Sequence, residues 1–423
     1  MTRFPRRSDV RAQAAVLCAC LAFIYFLNLG TPGTLDRAGQ IKGTDFIHFY
    51  VLGSVALHGP SHALYDTAAL ARRSAELVPE SARVYYLPIY GPQIALFFAP
   101  LSTFPYLWAL LAWLLITAAI YALCCVSVWR ACSGLRNERG LVLLVAAANP
   151  AFFNLIAHGQ NSAIALASVT LAFLALKRGQ SFLAGLAIGM LLYKPQLGIV
   201  LACVFLLSLH WPVIVGALVG AGSQLFVARL FFGNDVMHEY WKALMGIGAI
   251  QPLLDVKPYQ MHSMFSFWKL LVPNSQVAAG LAIVCACVVL FVSCRVWWSH
   301  APLSLKYAFL LLATVLVSPH LVVYDLVILA PALLMVADWA MIHQDKAYAK
   351  PVQQLVYYSY ALPLAGGATR FTHIQLSVIA MGALSWVLAS IAFSYRNSLH
   401  QTRIGASRAE RGASTSTAHV QRV

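Results

Sequence analysis

Apolar residues form long unbroken blocks between residues 12 and 394, separated by short polar stretches rich in Gly, Pro, Lys and Arg. The blocks do not alternate apolar with polar positions as membrane-barrel strands do, and several approach the roughly 20 residues that a helix needs to cross a bilayer. Backbone amides find no water in hydrocarbon, so such blocks predict helices. Twelve are predicted, at about 12–29, 105–129, 140–157, 160–176, 181–193, 195–209, 212–232, 275–298, 303–318, 321–341, 353–367 and 373–394. The fifth and sixth are short: either tilted spans or half-helices meeting at Tyr193-Lys194-Pro195. Residues 88–103 are apolar enough to span, but Pro88, Pro92, Pro100 and Pro105 punctuate them. A re-entrant or interfacial segment is expected there.

Composition agrees. The 423 residues are 60% apolar and only 10% charged, against about 25% charged in an ordinary soluble domain. The fold class that follows is an all-α polytopic membrane protein. A net charge of +15 does not imply nucleic acid, because the basic residues cluster in short segments between apolar blocks. The nine cysteines form no CxxC pair and no zinc spacing, and no disulfide framework is expected. The apolar run continues nine residues past Cys20, so a retained first helix is expected rather than a cleaved leader.

Lys and Arg set the orientation. With the N-terminus inside, inside segments hold 18 of them and outside segments 10, which favours cytoplasmic termini. The expected organisation is a cytoplasmic segment 1–11, a membrane domain 12–394 and a disordered basic cytoplasmic tail 395–423. Two large extracytoplasmic loops are expected at 30–104 and 233–274. The first should carry two interfacial helices, at about 46–58 and 66–77.

An ionisable side chain at membrane depth costs on the order of 2.5–3.5 kcal/mol, so such residues are candidates for chemistry. Four clusters fall on the outer side. In Gly43-Thr44-Asp45-Phe46-Ile47-His48-Phe49-Tyr50, Asp45 precedes an apolar helix. It reads first as that helix's N-cap, and secondly as a base made stronger by partial desolvation. In His158-Gly159-Gln160-Asn161, Gly permits a tight turn, and Gln160 and Asn161 offer amides to a hydroxyl-rich ligand. In Tyr193-Lys194-Pro195-Gln196, Lys194 either binds a phosphate or snorkels to the interface. In Ser318-Pro319-His320, with Tyr324 and Asp325 following, His320 is expected to start a helix. Asp325 lies inside that helix, as a chemical group or as a structural partner for another helix. Tyr65-Asp66, Tyr90, Arg229 and His262 are weaker candidates. No Walker loop, zincin motif or GxSxG occurs, and the scattered carboxylates suggest no metal site and no cofactor.

The ordered set of motifs resembles glycosyltransferase family 87 of the GT-C superfamily. The stretches that carry it are Asp45-Phe46 with Tyr50, Leu64-Tyr65-Asp66, Tyr90-Gly91-Pro92 through Phe98-Ala99-Pro100-Leu101, and Gly159-Gln160-Asn161. Ala184-Gly185-Leu186 running to Lys194-Pro195 follows, then Ser318-Pro319-His320 with Tyr324-Asp325. Gly91 stands where a second Pro is common. The resemblance implies a GT-C fold and a polyprenyl-phosphate-linked sugar donor, with mannose the implied hexose and a lipid or glycan the acceptor. It implies Asp45 as catalytic carboxylate and Lys194 or His320, with Arg229, near the donor phosphate. His48, Tyr50, Tyr65, Tyr90, Gln160, Asn161, Gln196, His262, Tyr324 and Asp325 are the candidates for holding sugar or acceptor. The expected location is the bacterial plasma membrane, with the site outside. The competing readings are a polyprenyl-lipid or small-solute transporter, which would place polar groups along a path through the midplane and show internal repeats, and a non-catalytic scaffold.

Overall fold

The computed structural model describes residues 7–82, 84, 87–249 and 257–395; the expected basic tail lies outside them. Among the described residues the fold is helical, with two isolated β-bridges and no β-strand. In chain order the α-helices are α1 (Arg7–Leu29), α2 (Phe46–His58), α3 (Thr67–Leu77), α4 (Pro92–Phe98), α5 (Tyr106–Ala131) and α6 (Arg139–Ala147). They continue as α7 (Pro150–His158), α8 (Ser162–Lys177), α9 (Ser181–Gly189), α10 (Ile199–Leu207), α11 (Trp211–Met245) and α12 (Met264–Leu271). The last are α13 (Ser275–Trp297), α14 (Leu303–Val317), α15 (Leu329–Ile342), α16 (Ala349–Ala361), α17 (Gly366–Thr372) and α18 (Leu376–Tyr395).

Six helices are long and apolar enough to cross a membrane, and the pair α6–α7, bent by 44°, makes a seventh. Shorter apolar helices fill the space between them, α8, α9 and α14 among them. The twelve expected segments therefore all carry helix, but several are broken. The 140–157 segment bends where Asn149 caps α7 and Pro150 occupies its first turn, because Pro cannot donate to the preceding turn. The 181–193 and 195–209 segments end and begin in 3-10 turns on either side of Lys194, which is the half-helix arrangement. The 353–367 segment breaks after Ala361 at Pro363.

Two boundaries differ from expectation. The 212–232 segment continues to Met245 across a break at Gly233 (φ 83°). Beyond the break Val236 and Tyr240 bury one side while Glu239 and Lys242 pair on the other. The polar residues of this stretch concealed its helical spacing. His320 does not start a helix. Residues 318–322 are irregular, and a 3-10 turn begins only at Val323.

The first loop does carry helices at Phe46–His58 and Thr67–Leu77, but the first is buried from Phe46 to Val55 rather than lying on the surface. Residues 88–103 are broken as the prolines dictate: α4 has only seven residues and packs its buried face on α2. The core centres on α14, which is buried from Tyr307 to Leu316.

The backbones of α9 and α11 approach closely. A Cβ added to Gly185 would lie 2.1 Å from the Val213 carbonyl oxygen, and one on Gly189 would lie 2.5 Å from that of Ala217. From the other side, Gly216 meets the carbonyl of Phe182 and Gly220 that of Leu186. Both helices thus carry a small-xxx-small stripe, which lets the backbones meet where lipid offers no hydrophobic drive. This contact fixes the helix that leads into Lys194.

The ends of the bundle separate by charge. Arg7 and Arg11 of α1 bond Glu138 at the start of α6. Lys177, at the end of α8, donates to the Ala131 carbonyl at the end of α5. The opposite end of α8, and the end of α7, carry the polar cluster described next.

Candidate active site

Asp45 sits at the N-terminus of α2, but its side chain makes no cap hydrogen bond. Its amide donates instead to the His158 carbonyl at 2.9 Å, and its carboxylate accepts from Gln160 Nε2 at 3.0 Å. The cap reading of Asp45 is therefore corrected: the carboxylate turns across to another helix. Asp66, by contrast, does cap α3, accepting from the amides of Ala68 and Ala69.

Two glycines allow this join. Gly159 has a left-handed backbone (φ 59°), and a Cβ there would stand 2.7 Å from that of Phe46. Gly43 (φ 67°) has Leu110 2.6 Å from where its Cβ would be. Only glycine adopts such turns at little cost, so the loops before α2 and after α7 touch.

Lys194 lies in the break between α9 and α10, buried, and its Nζ donates to Asp325 at 2.7 Å and to Ser162 Oγ at 2.9 Å. Ser162 also donates to Asp325, at 2.5 Å. Asp325 is buried too, so the most costly acid in the sequence is a structural partner of Lys194. The Lys194 ammonium stands 5.3 Å from the Tyr324 ring centroid, a cation–π distance. Tyr193 donates to the Asn161 carbonyl at 2.9 Å.

These groups form one cluster. Tyr90 and Tyr324 each interact electrostatically with both Asp45 and Asp325 and lie against Gln160. The Tyr90 ring is 5.8 Å from that of His48, and the His158 ring is 5.7 Å from that of Tyr324. Burial pushes the Asp45 carboxyl above the usual carboxylate range. The charges of His158 and Lys194 and the Gln160 hydrogen bond pull it back only in part. Asp45 is mostly buried but not sealed from the surface. Asn161 is fully buried, and both atoms of its amide lack a hydrogen-bond partner in good geometry, although the Tyr90 phenol lies beside it.

Other expected residues lie around or outside this cluster. Tyr65 donates to the Tyr90 carbonyl at 3.0 Å and so supports Tyr90. Tyr50 turns to the Phe104 carbonyl at 2.8 Å. Arg229 is exposed on α11 and bonds Asn234 at 2.8 Å. Gln196 follows Lys194, half-buried. His320 is half-buried in the irregular stretch, its carbonyl accepting from Ser318. His262 belongs to a neighbouring buried network. Its Nδ1 is 2.7 Å from Ser377 Oγ, and its amide donates to the Leu321 carbonyl. Burial pushes the His262 imidazole down to about 4.

Ser162, Tyr193 and His158 join the site although the sequence did not single them out individually. Ser162 and Tyr193 adjoin Asn161 and Lys194, and His158 stands two residues before Gln160. Gln93, whose buried amide also lacks a partner, gave no such signal. Among the described residues no three His, Cys, Asp or Glu side chains converge as metal ligands do, and all nine cysteines are free.

Comparison with curated proteins and with solved structures gave no match. The sequence model of glycosyltransferase family 87 matches residues 89–319. Gln160, Ser162 and Lys194 fall inside the matched region, whereas Asp45 and Asp325 lie outside it and are bonded to it by those residues. The match covers more than half of the chain, which therefore belongs to glycosyltransferase family 87 and is a membrane glycosyltransferase.

Proposed function

We propose that the chain moves a hexose, mannose in our reading, from a polyprenyl-phosphate donor to a lipid or glycan acceptor outside the bacterial plasma membrane, inverting the anomeric centre. The termini are cytoplasmic in this reading, because the basic end of the bundle holds Arg7, Arg11 and Lys177 and basic ends face inward.

The observation that carries the reading is Asp45: a mostly buried carboxylate at the start of α2, raised in basicity by that burial and oriented by Gln160. An inverting transfer needs one base and a stabilised leaving group rather than a carboxylate pair. Asp45 accepts the acceptor hydroxyl's proton as that oxygen bonds to the anomeric carbon and the bond to the phosphate oxygen breaks. Lys194 has three donors. Asp325 and Ser162 take two, and the third is left for the departing phosphate, whose growing charge it offsets.

The test is transfer from a defined polyprenyl-phosphate hexose by purified protein. Asp45→Asn should lose transfer while eluting as the same folded species, and near-normal turnover in that variant sinks the assignment.

A further inference from the structure

At the basic end of the bundle, α1, α5, α6, α15 and α16 surround a cavity of about 460 Å³. That volume is in the range that holds a small-molecule ligand. Its wall is apolar from Ala14, Val142 and Ala337 to the α6–α7 bend at Asn149, and Arg7 lies at its rim. Arg7 and Arg11 share a single carboxylate, Glu138, at 2.6 and 3.1 Å, and both remain more than half exposed. Arg136 and Arg139 flank Glu138 in the sequence. Two guanidiniums thus meet one carboxylate, and two more basic residues lie close to it in the sequence.

We propose that this cavity binds one anionic glycerophospholipid, with its phosphate at Arg7 and Arg11 and an acyl chain running along Ala14, Val142 and Ala337 toward Asn149. Charge complementarity selects an anionic head, and basic pockets between membrane helices bind such heads. Length selects a lipid of one leaflet. On α1 the cavity runs from Arg7 to Leu17, about 15 Å at 1.5 Å per residue, which is half of the roughly 30 Å hydrocarbon core. A polyprenyl donor whose sugar sits at Asp45 would enter from the other end. The lipid also supplies packing for α1, of whose apolar stretch only 6% is buried in protein.

The test uses the full chain, purified in mild detergent from membranes containing both phosphatidylglycerol and phosphatidylethanolamine, with bound lipid identified by mass spectrometry. The expected result is about one phosphatidylglycerol-type lipid retained per chain. Ala337→Trp, which fills the cavity, should lower retention at least fivefold. The pair Arg7→Gln and Arg11→Gln should lower it at least threefold and abolish the preference for the anionic head. Size-exclusion profiles report folding, and Val10→Trp carries the filling test if Ala337→Trp does not fold. Unchanged retention in the folded variants, equal retention of the zwitterionic lipid, or a polyprenyl phosphate in its place overturns the proposal.

Discussion

Gln160 donates to the carboxylate of Asp45 across 3.0 Å although 115 residues separate them. Gln160 lies inside the family-matched region and Asp45 before it, so this bond ties the proposed base to the most strongly identified part of the chain. Gln160→Leu should keep the fold but leave Asp45 unoriented. Turnover should fall about 10- to 100-fold, as small misplacements of a reacting group do, with a smaller change in KM. Steady-state kinetics with varied acceptor checks this.

Asp45→Asn separates function from stability. Burial raises the Asp45 pKa, so the folded state prefers the neutral carboxyl. This favourable contribution is complete below the unfolded pKa and disappears as pH rises through the folded value. Once ionised, the buried carboxylate opposes folding, and Asn removes that cost. Transfer should drop about 10²- to 10⁴-fold, the usual worth of a general base, while the melting temperature in detergent holds or rises. In the wild-type enzyme the acid limb of kcat/KM should lie above the ordinary carboxylate range, because the base must be ionised to work.

Lys194 and Asp325 should behave as a pair. Removing one partner of a buried ion pair costs about 3–5 kcal/mol, because the other charge remains in a low dielectric. Lys194→Met should therefore destabilise strongly, and Lys194→Met with Asp325→Leu should recover a large part of the loss. Thermal unfolding of the two single variants and the double variant gives the coupling directly.

The glycine contact of α9 with α11 should tolerate nothing larger. Gly185→Val places a side chain where the Val213 carbonyl already stands. Overpacking costs about 1–3 kcal/mol even where side chains can yield, and backbone yields less. Activity should fall along with stability, since α9 leads into Lys194.

His262 adds an acid-sensitive element of opposite sign to Asp45. Its imidazole is neutral in the fold down to about pH 4, whereas in the unfolded chain it takes up a proton near 6.5. Its contribution to stability is present above 6.5 and is lost as pH falls from there to about 4. Melting temperatures of wild type and His262→Gln, measured across that window, should converge at its acid end.

The bundle was legible because its apolar blocks are long and its breaks coincide with Pro and Gly. The site was legible in part. Asp45, Gln160 and Lys194 stood out as polar residues that charge counting placed on one side. The partner of Asp325 was not legible, because Lys194 lies 131 residues away and local spacing says nothing about such contacts. Asp45 reads first as a cap, and only secondly as a base, because Asp before an apolar helix is the usual capping pattern. Only the approach of Gly159 to Phe46 shows why the side chain turns elsewhere. The helix after Gly233 was hidden by its charged face, whose two sides the sequence could not assign.

The Lys194–Asp325 bond also bears on how the protein is made. Each charge alone makes its segment harder to insert, by on the order of 2.5–3.5 kcal/mol. The neutralising partner of Lys194 is not synthesised until 131 residues later, roughly ten seconds at ordinary translation rates. Until then the half-helices on either side of Lys194 flank an uncompensated ammonium, so they settle provisionally and lock only when the segment after Ser318 arrives. Assembly is thus sealed late, by the same contact that organises the site, and a nascent chain halted before residue 325 should be a preferred target for membrane quality control.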